Sequence, residues 1–397
     1  MRTMRPRCSS ATARHTEEDA MQSFIDGLDL IDHHCHGVVK SDLDRTAFEA
    51  LMSEGHKRVP DCSQFDKPLG LMIQRWCSPV LGLPPHSDPD TYVQHRSRLG
   101  VAEVTRRLGG DTGVRMMLID TGHRADHIFD CEGMTAATGV ASREVVRIEA
   151  VMEEVARSGV STGKDLVTGF VGLLTERAAG AVGLKSIVAY RTTFDIDQSR
   201  PGDQEVVLAA DTWLAALTNG SSRRLEDETL IRFALWQAGE LCRKHRFPLQ
   251  LHVGFGDKDV IMPKCDPTVF MPFIAAMEEW DVPITLLHCY PFIREAGWMA
   301  EVFSNVYVDI GVIQNFTGPA APRIVAQAME LTPFYKQQYS SDAFGLAELH
   351  YLGARLFRNA LAAVLGEWVD RGDLTNKRAE SIALAICSGN SRRIYNL

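Results

Sequence analysis

The stretch LDLIDHHCHGVV, residues 28–39, ends an apolar run with three histidines and one cysteine. A short run of Leu and Ile bounded by polar residues is typical of a buried β-strand. Successive side chains of a strand point to opposite faces, so Asp32, His34 and His36 are predicted to share one face. Two imidazoles on residues two positions apart in a strand can bind the same metal ion. On its own this pair is weak evidence, and further ligands have to come from the rest of the chain.

The bulk composition is that of a globular protein with a large core. The chain has 397 residues, of which 45% are hydrophobic and 23% are charged. This length permits one large barrel or two to three smaller domains. The formal net charge is -9 and the body of the chain has no dense Lys/Arg run, which argues against a nucleic-acid partner. No apolar run reaches the ~18 residues of a membrane-spanning helix, so no membrane partner is expected.

The cysteines and the N-terminus bear on location. The nine cysteines are an odd number and show no CxxC spacing, which is typical of a reduced cytoplasmic protein with buried thiols. Residues 1–24 are basic and then polar, without the apolar segment of a secretory signal. We therefore predict a cytoplasmic protein with a disordered leader over 1–24 and one folded domain over 25–397.

Short apolar runs alternate with amphipathic helical patterns along the chain. The pattern over 227–247 begins with acidic residues and ends with basic ones, as the helix dipole favours. Similar patterns cover 267–280, 322–331 and 346–369. Eight such units predict an α/β fold of the (β/α)8 TIM-barrel type. A doubly wound open sheet is the alternative, and the lack of a Gly-rich dinucleotide motif counts against one version of it. The predicted strands are 28–34, 114–122, 144–150, 181–190, 248–256, 283–291, 306–312 and 335–345.

The first and second predicted strands are separated by more residues than a normal βα connection contains. We therefore predict that residues 40–110 form a helical insertion. Loops that follow barrel strands surround the active site, so this insertion would lie beside it. The insertion would act as a lid or a substrate-selecting subdomain. Trp76 lies in it and is a candidate to cover the substrate, although packing within the lid is favoured for this side chain.

Several later runs end in residues that can bind metal ions. His252 ends LQLH, His288 ends TLLH, and Asp342 lies near the end of the last predicted strand. Active sites of TIM barrels lie at the carboxyl ends of the strands, so these side chains are expected near His34 and His36.

Lys185 lies inside the apolar run AVGLKSIVAY. Burial of an ammonium group is unfavourable unless it is paired. This lysine either forms an ion pair, extends its amine to the surface, or reacts with CO₂ to form a carbamate. A carbamate would be an anionic ligand with two oxygen atoms, able to bridge two metal ions.

These motifs, in this order, resemble those of the amidohydrolase superfamily. Within it the chain is similar to the amidohydrolase 2 branch, which is related to the amidohydrolase-like part of proteins fused to a glutamine-synthetase-like domain. The resemblance covers about residues 25–397 and implies a (β/α)8 barrel with one or two divalent ions, usually zinc. The matching segments are LIDHHCHG, VVRIEAV, GLKSIVAYR, LQLHVGFGD, LLHCYPF, SSDAFGLAELHYLGAR and GNSRRIYNL.

The resemblance also implies roles for individual residues. His34, His36 and Asp342 resemble the ligands of a first metal ion. Lys185 resembles a carboxylated lysine that bridges two ions, and the ligands of the second ion are matched by His252 and His288.

The predicted reaction is hydrolysis of a C–N bond, most simply an amide bond. A metal ion lowers the pKa of a bound water toward neutrality and polarises a carbonyl. Asp342 is expected to accept the proton of that water and to deliver it to the leaving amine. His288 would polarise the carbonyl if only one metal ion is bound. Asp32 is expected to support the ligands from one step deeper in the strand. His33 and Cys35 point to the opposite face of the strand and are expected to pack outside the barrel wall.

Two arginines are candidates to hold a substrate carboxylate. Arg191 follows Tyr190 just beyond the fourth predicted strand, and both are predicted to contact substrate. Arg147 lies on the third predicted strand. For Arg147 an ion pair with Glu149 that supports the rim is an equal alternative, and for Arg191 a similar pairing also stays open. The sequence favours structural roles for Asp120 and His123 at the end of the second strand.

Other functions remain as alternatives at this point. A decarboxylase or a sugar-acid isomerase would use one metal ion on the same scaffold. A barrel without catalytic activity that serves as a binding domain is the alternative outside enzymes. Zinc is the favoured metal, although manganese and iron also suit histidine and carboxylate ligands. The expected partner is a small molecule, and a homo-oligomer is compatible with the sequence.

Overall fold

The computed structural model describes residues 20–55, 57–110, 112–220 and 224–397. Most of the predicted leader, residues 1–19, lies outside the described part of the chain. Residues 20–26 are helical, and Met21 and Ile25 are buried against the core. Order therefore begins before residue 24, where the prediction ended the leader.

The core of the fold is a seven-stranded parallel sheet in which each strand pairs with its neighbours in sequence order, β1 to β7. Every one of the first seven predicted strands contributes to it, although most are shorter than predicted. The run over 144–150 ends as a strand at Arg147, and the residues after it begin a helix. The strands are β1 Leu30–Cys35, β2 Val114–Asp120, β3 Ala141–Arg147, β4 Gly183–Ser186, β5 Leu249–His252, β6 Ile284–Leu287 and β7 Val306–Val308.

The predicted eighth strand, 335–345, is not a regular strand. A short 3₁₀ turn, Phe334–Lys336, is followed by extended residues that form only isolated backbone bonds. Gln338 N donates to the carbonyl of Val308 at 3.0 Å, and on the other side the N–H of His33 donates to the carbonyl of Tyr339 at 3.2 Å. This segment thus bonds to both edges of the sheet, and its polar residues place side chains in the interior instead of continuing a ladder.

Helices connect the strands and cover the sheet. The four predicted helical patterns are all present, with ends that shift by a few residues. The helices are α1 Arg45–Ala50, α2 Pro68–Met72, α3 Ser78–Leu81, α4 Pro89–Gly110, α5 Cys131–Thr138, α6 Ile148–Arg157, α7 Gly163–Gly180, α8 Val188–Arg191, α9 Asp203–Thr218, α10 Glu228–His245, α11 Met271–Glu278, α12 Ile293–Val302, α13 Ile313–Thr317, α14 Ala321–Ala328, α15 Ala347–Asp370, α16 Asn376–Leu384 and α17 Asn390–Tyr395.

Helices α1 to α4 lie between β1 and β2, within the segment predicted as an insertion. A buried ion pair joins this segment to α15, since Arg96 Nε lies 2.7 Å from Glu348 Oε1. Trp76 packs near the same helix, with the guanidinium groups of Arg75 and Arg355 4.5 and 4.7 Å from its ring. The tryptophan is thus held by two arginines as part of the packing.

The strict alternation predicted for β1 is wrong at His33. The pairing of β1 with β2 shifts register between Asp32 and Cys35. His33, expected to pack outside the barrel wall, instead enters a buried polar layer. Its Nδ1 lies 3.0 Å from the hydroxyl of Tyr395, in the last helix of the chain. A register irregularity of this kind interrupts the alternation of side chains between the two faces of a strand, and the periodicity of the sequence does not reveal it.

Among the described residues, no helix is both long enough and apolar enough to cross a membrane.

Candidate active site

A cavity of about 630 Å³ opens at the carboxyl ends of the strands. Lys185 of β4, His252 at the end of β5 and His288 just after β6 line it, together with Asp342. The segment between β1 and β2 supplies one wall. The wall residues are Ala50, Leu51, Ser53, Glu54 and Gly55.

Three predicted ligands converge at the base of the cavity. Asp342 Oδ1 lies 3.2 Å from His34 Nε2, and its Oδ2 lies 3.2 Å from His288 Nδ1. One ligand atom from each of the three residues lies within 4.8 Å of the others. Nitrogen and oxygen donors at this spacing fit a divalent ion such as zinc, manganese or iron.

His36 extends this group toward β2. Its Nδ1 lies 2.9 Å from the backbone carbonyl of Asp120, so this nitrogen carries the hydrogen and Nε2 keeps a free lone pair. His36 Nε2 lies 3.6 Å from Asp342 Oδ1. His34, His36 and Asp120 form a second set of ligand atoms within 4.8 Å. Asp120 therefore joins the site, although the sequence favoured a structural role for it.

Lys185 lies at the centre of these groups. Its Nζ is 3.1 Å from His34 Nε2 and 3.9 Å from Asp120 Oδ2. Burial lowers the pKa of Lys185 to about 8. The lysine thus lies next to His34, which belongs to both sets of ligand atoms, and near Asp120 of the second set.

His252 lies beside these two groups and belongs to neither of them. Its ring centroid is 4.6 Å from that of His288 and 4.5 Å from that of Tyr190. Its Nε2 is buried and has no hydrogen-bond partner among the described residues. An unpaired buried nitrogen of a residue that lines the cavity is a position where a metal ion or a substrate can supply the missing contact.

Burial controls the charge of the ligands. It lowers the pKa of His34, His252 and His288 well below the usual value, and that of His36 to about 4. It also raises the pKa of Asp342 well above the usual value. Neutral imidazoles have the free lone pairs that metal binding requires.

The backbone at two of the ligands is strained. His288 has a φ of 69° and Asp342 has a φ of 46°, in the left-handed region that non-glycine residues rarely adopt. Such conformations persist where the surroundings hold them, often at functional sites. Here Asp32 accepts hydrogen bonds from Ser341 N at 2.8 Å and from Ser341 Oγ at 2.5 Å. Asp32 thus fixes the residue before Asp342, which agrees with its predicted supporting position.

Asp309, which sequence reasoning missed, holds the backbone at His288. Asp309 Oδ1 accepts from His288 N at 2.5 Å and from Gly311 N at 3.0 Å. A side chain at Gly311 would not fit, because an added Cβ would lie 2.2 Å from Ser340 Oγ and 3.4 Å from His288 Nδ1. The sequence VDIGV contains both Asp309 and Gly311, and an aspartate at the end of a buried strand was the available signal.

The two predicted carboxylate-binding arginines line the cavity but already have acidic partners. Arg147 donates to Asp120 Oδ2 from Nη2 at 2.6 Å and from Nε at 3.0 Å. The alternative prediction, an ion pair of Arg147 with Glu149, is wrong, because the Glu149 carboxylate instead accepts from the hydroxyl of Ser186 at 2.5 Å. Arg191 Nη1 lies 2.7 Å from Glu153 Oε1.

Besides Arg224, which pairs with Glu226 and Asp259, the cavity has one further arginine that the sequence did not single out, Arg124. It follows His123 after β2 and lies over the ring of Phe344, 5.9 Å from the centroid. Within the described part of the chain no carboxylate forms an ion pair with it, and its φ of 48° is again left-handed. His123 also lines the cavity, with its ring 5.8 Å from that of His36. Trp76 does not belong to the cavity wall, because it is packed between Arg75 and Arg355.

Comparison with known proteins places the chain in a family. A family model described as Amidohydrolase matches residues 199–397, half of the chain. Protein fluG of Emericella nidulans is 31% identical over 285 residues, which are 66% of this chain and 33% of that protein. The chain therefore spans about a third of the length of this curated relative.

Solved structures share the fold over nearly the whole length. A Lactobacillus casei protein with the provisional description of a metal-dependent hydrolase is 26% identical, with a TM-score of 0.82 over 95% of this chain and 97% of that chain. The uronate isomerase of Thermotoga maritima is 14% identical, with a TM-score of 0.63 over 96% of this chain and 97% of that chain, and shares the fold alone. The chain belongs to the amidohydrolase family.

Proposed function

We propose that this protein is a metal-dependent hydrolase that cleaves the C–N bond of a small amide bearing a carboxylate. The observation that carries the proposal is the convergence of His34, His288 and Asp342 at the base of one cavity, with ligand atoms within 4.8 Å. Membership of the amidohydrolase family supports the same reaction class.

The ligand set fits a divalent ion, zinc above all. His34, His36 and Asp342 would hold a first ion, as the resemblance implies. His288, which the resemblance assigns to a second ion, has a ligand atom within 4.8 Å of those of His34 and Asp342 and would join the first. A carboxylated Lys185 with His252 would then allow a second ion. When bound, the metal supplies Lewis-acid activation of the substrate carbonyl and makes water a better nucleophile at neutral pH.

The chain's own residues then handle the proton. Asp342 lies 16% exposed in the cavity, where a water and a substrate can reach its carboxylate. Asp342 would accept a proton from water as the water oxygen forms its bond to the carbonyl carbon. The C–N bond breaks as the same proton passes from Asp342 to the leaving nitrogen. His288, 3.2 Å from Asp342 Oδ2, would keep the carboxylate oriented during both transfers.

A substrate carboxylate would be held at the rim. Arg147 and Arg191 each share their guanidinium with an acidic side chain, and so does Arg224, the fourth cavity arginine. This leaves Arg124 as the cavity arginine for which the described residues form no ion pair. Arg124 can therefore form a charge-assisted pair with substrate. Arg147, Arg191 and Tyr190 would complete the binding surface around it.

Arg124→Gln is expected to raise KM for a carboxylate-bearing amide by about 10–100-fold, because one charge-assisted hydrogen bond contributes about 1.5–3 kcal/mol. The neutral carboxamide analogue of the same substrate should be cleaved equally by both proteins. Arg115→Gln, an exposed arginine at the other end of β2, is the matched control. Equal losses on both substrates would contradict the assignment of Arg124.

The reaction itself can be tested with metal-reconstituted protein and a panel of N-acyl amino acids and small γ- and α-linked amides. The expected result is release of a free amine and a free acid from at least one carboxylate-bearing amide. Release of CO₂ from a carboxylic acid, or isomerisation of a sugar acid, without amide cleavage would replace this proposal by one of those reactions. A protein that takes up no metal ion, binds these compounds and converts none of them would indicate a binding barrel.

A further inference from the structure

We infer that Tyr395, two residues before Leu397, is a positioning residue of the active site that acts on His288 through His33 and Asp309. The inference rests on the metal site of the proposed function and deepens it. The residues involved come from four separated parts of the chain, and the link among them is a continuous line of buried hydrogen bonds and one imidazole–carboxylate contact.

The line begins in the last helix, α17. Tyr395 is 3% exposed and packs with Leu118 and Val145 of the sheet and with Val182, just before β4. Its hydroxyl accepts a hydrogen bond from Gln250 Nε2 at 2.8 Å. The same Gln250 nitrogen donates to the backbone carbonyl of His33, also at 2.8 Å.

The line continues through His33. The hydroxyl of Tyr395 lies 3.0 Å from His33 Nδ1, and His33 Nε2 lies 2.8 Å from Asp309 Oδ2. A carboxylate only accepts, so His33 carries its hydrogen on Nε2 and the tyrosine hydroxyl donates to Nδ1. Tyr395 and His33 then each have one donor role and one acceptor role, and the tautomer of His33 is fixed by its two neighbours.

The line ends on the backbone of a predicted metal ligand. The hydroxyl of Ser340 donates to Asp309 Oδ2 at 2.8 Å, while Oδ1 accepts from His288 N. His288 is one of the residues held in the left-handed region, so its ring direction depends on the acceptor that fixes its N–H. Orienting groups behind a metal ligand affect metal affinity by about 10–100-fold when they are removed.

The hydroxyl of Tyr395 distinguishes a positioning role from an ordinary packing role. A packing role needs only the ring, which Tyr395→Phe retains. Loss of the hydroxyl leaves His33 Nδ1 without its donor and Gln250 Nε2 without one acceptor, in a layer that is fully buried. His33 can then change its tautomer or shift, which loosens the hold on Asp309.

The test compares Tyr395→Phe and Asp309→Asn with the wild type in the full chain. The first readout is the amide proton of His288 in NMR spectra of the metal-free protein, and the second is the affinity for Zn²⁺ by competition with a chelator. We expect the His288 amide signal to move in both variants. We expect zinc affinity to fall about 10–100-fold in Asp309→Asn and about threefold to tenfold in Tyr395→Phe.

Tyr307→Phe is the matched control, because Tyr307 belongs to the same buried cluster but has no bond to His33. Its His288 signal and zinc affinity should match the wild type. If Tyr395→Phe lowers only the melting temperature, with the His288 signal and the zinc affinity of wild type, Tyr395 is a packing residue and the inference is overturned. If the wild type binds no zinc, the proposed function fails, while the His288 amide signal still decides whether Tyr395 positions this residue.

Discussion

Asp342→Asn is expected to retain bound metal and to lose about 10²–10⁴-fold in kcat, the contribution typical of a general base. The amide oxygen of Asn keeps a neutral donor for the metal at a position 3.2 Å from both His34 and His288. The amide cannot accept the proton of water, so the proton that the leaving nitrogen needs is missing. Metal content and steady-state kinetics of the same preparation measure the two parts separately.

Asp373→Asn is the control for this variant, because Asp373 is an exposed aspartate paired with Arg371 far from the cavity. It should have the metal content and the turnover of the wild type. A turnover near that of wild type in Asp342→Asn would remove Asp342 from the proposed mechanism. Loss of metal together with activity would show that the carboxylate acts as a ligand before it acts as a base.

Lys185→Ala is expected to lower kcat/KM by about 100-fold or more, because the lysine lies among the ligands of both groups. The size of the loss does not say whether the active form is an ammonium or a carbamate. Added small molecules can distinguish the two, since the substitution leaves space for them. Acetate should restore activity if a carbamate is the active form, and methylammonium should restore it if the ammonium is.

Lys336→Ala is the control for Lys185, because Lys336 is another buried lysine, whose Nζ donates to the carbonyls of Ala300 and Phe303 away from the cavity. This control should lower stability without changing the metal content. Rescue of Lys185→Ala by methylammonium alone would contradict a carboxylated lysine. Unchanged activity in Lys185→Ala would remove this residue from the site.

The ends of the strands could be predicted from the sequence. His252 and His288 end apolar runs and Asp342 lies near the end of the more polar last predicted strand, and parallel strands bring such ends to one edge. The family resemblance added Lys185 to this set. These predictions needed only local patterns and the rule that places barrel active sites at one end.

The supporting residues could not be predicted in the same way. The bond from His33 to Asp309 joins residues far apart in sequence, and the register shift in β1 breaks the period of two that located His33 on the outside. The predicted ion pair of Arg147 with Glu149 was wrong for a similar reason. Glu149 is close in sequence but lies on helix α6, whereas Asp120 faces Arg147 across neighbouring strands. Contacts between strands depend on the register of their pairing, which cannot be determined from a single sequence.

The eighth strand shows a further limit of pattern reasoning. The segment over 335–345 was the most polar of the predicted strands, and it forms backbone bonds to both sheet edges without a regular ladder. Its polar residues are used instead as side chains, since Ser340 and Ser341 bond to Asp309 and Asp32. Polar residues that support the site in this way replace the alternating apolar residues by which sequence analysis recognises a strand.

The metal content of the purified protein tests the central claim most directly. We predict one or two equivalents of a divalent metal ion per chain, measured by elemental analysis after exhaustive dialysis. The double substitution of His34→Ala and His36→Ala should remove at least one equivalent, while the folded state persists by circular dichroism. Wild-type protein that binds no metal even after reconstitution with zinc, manganese or iron, or a double variant that binds as much as wild type, would contradict the account.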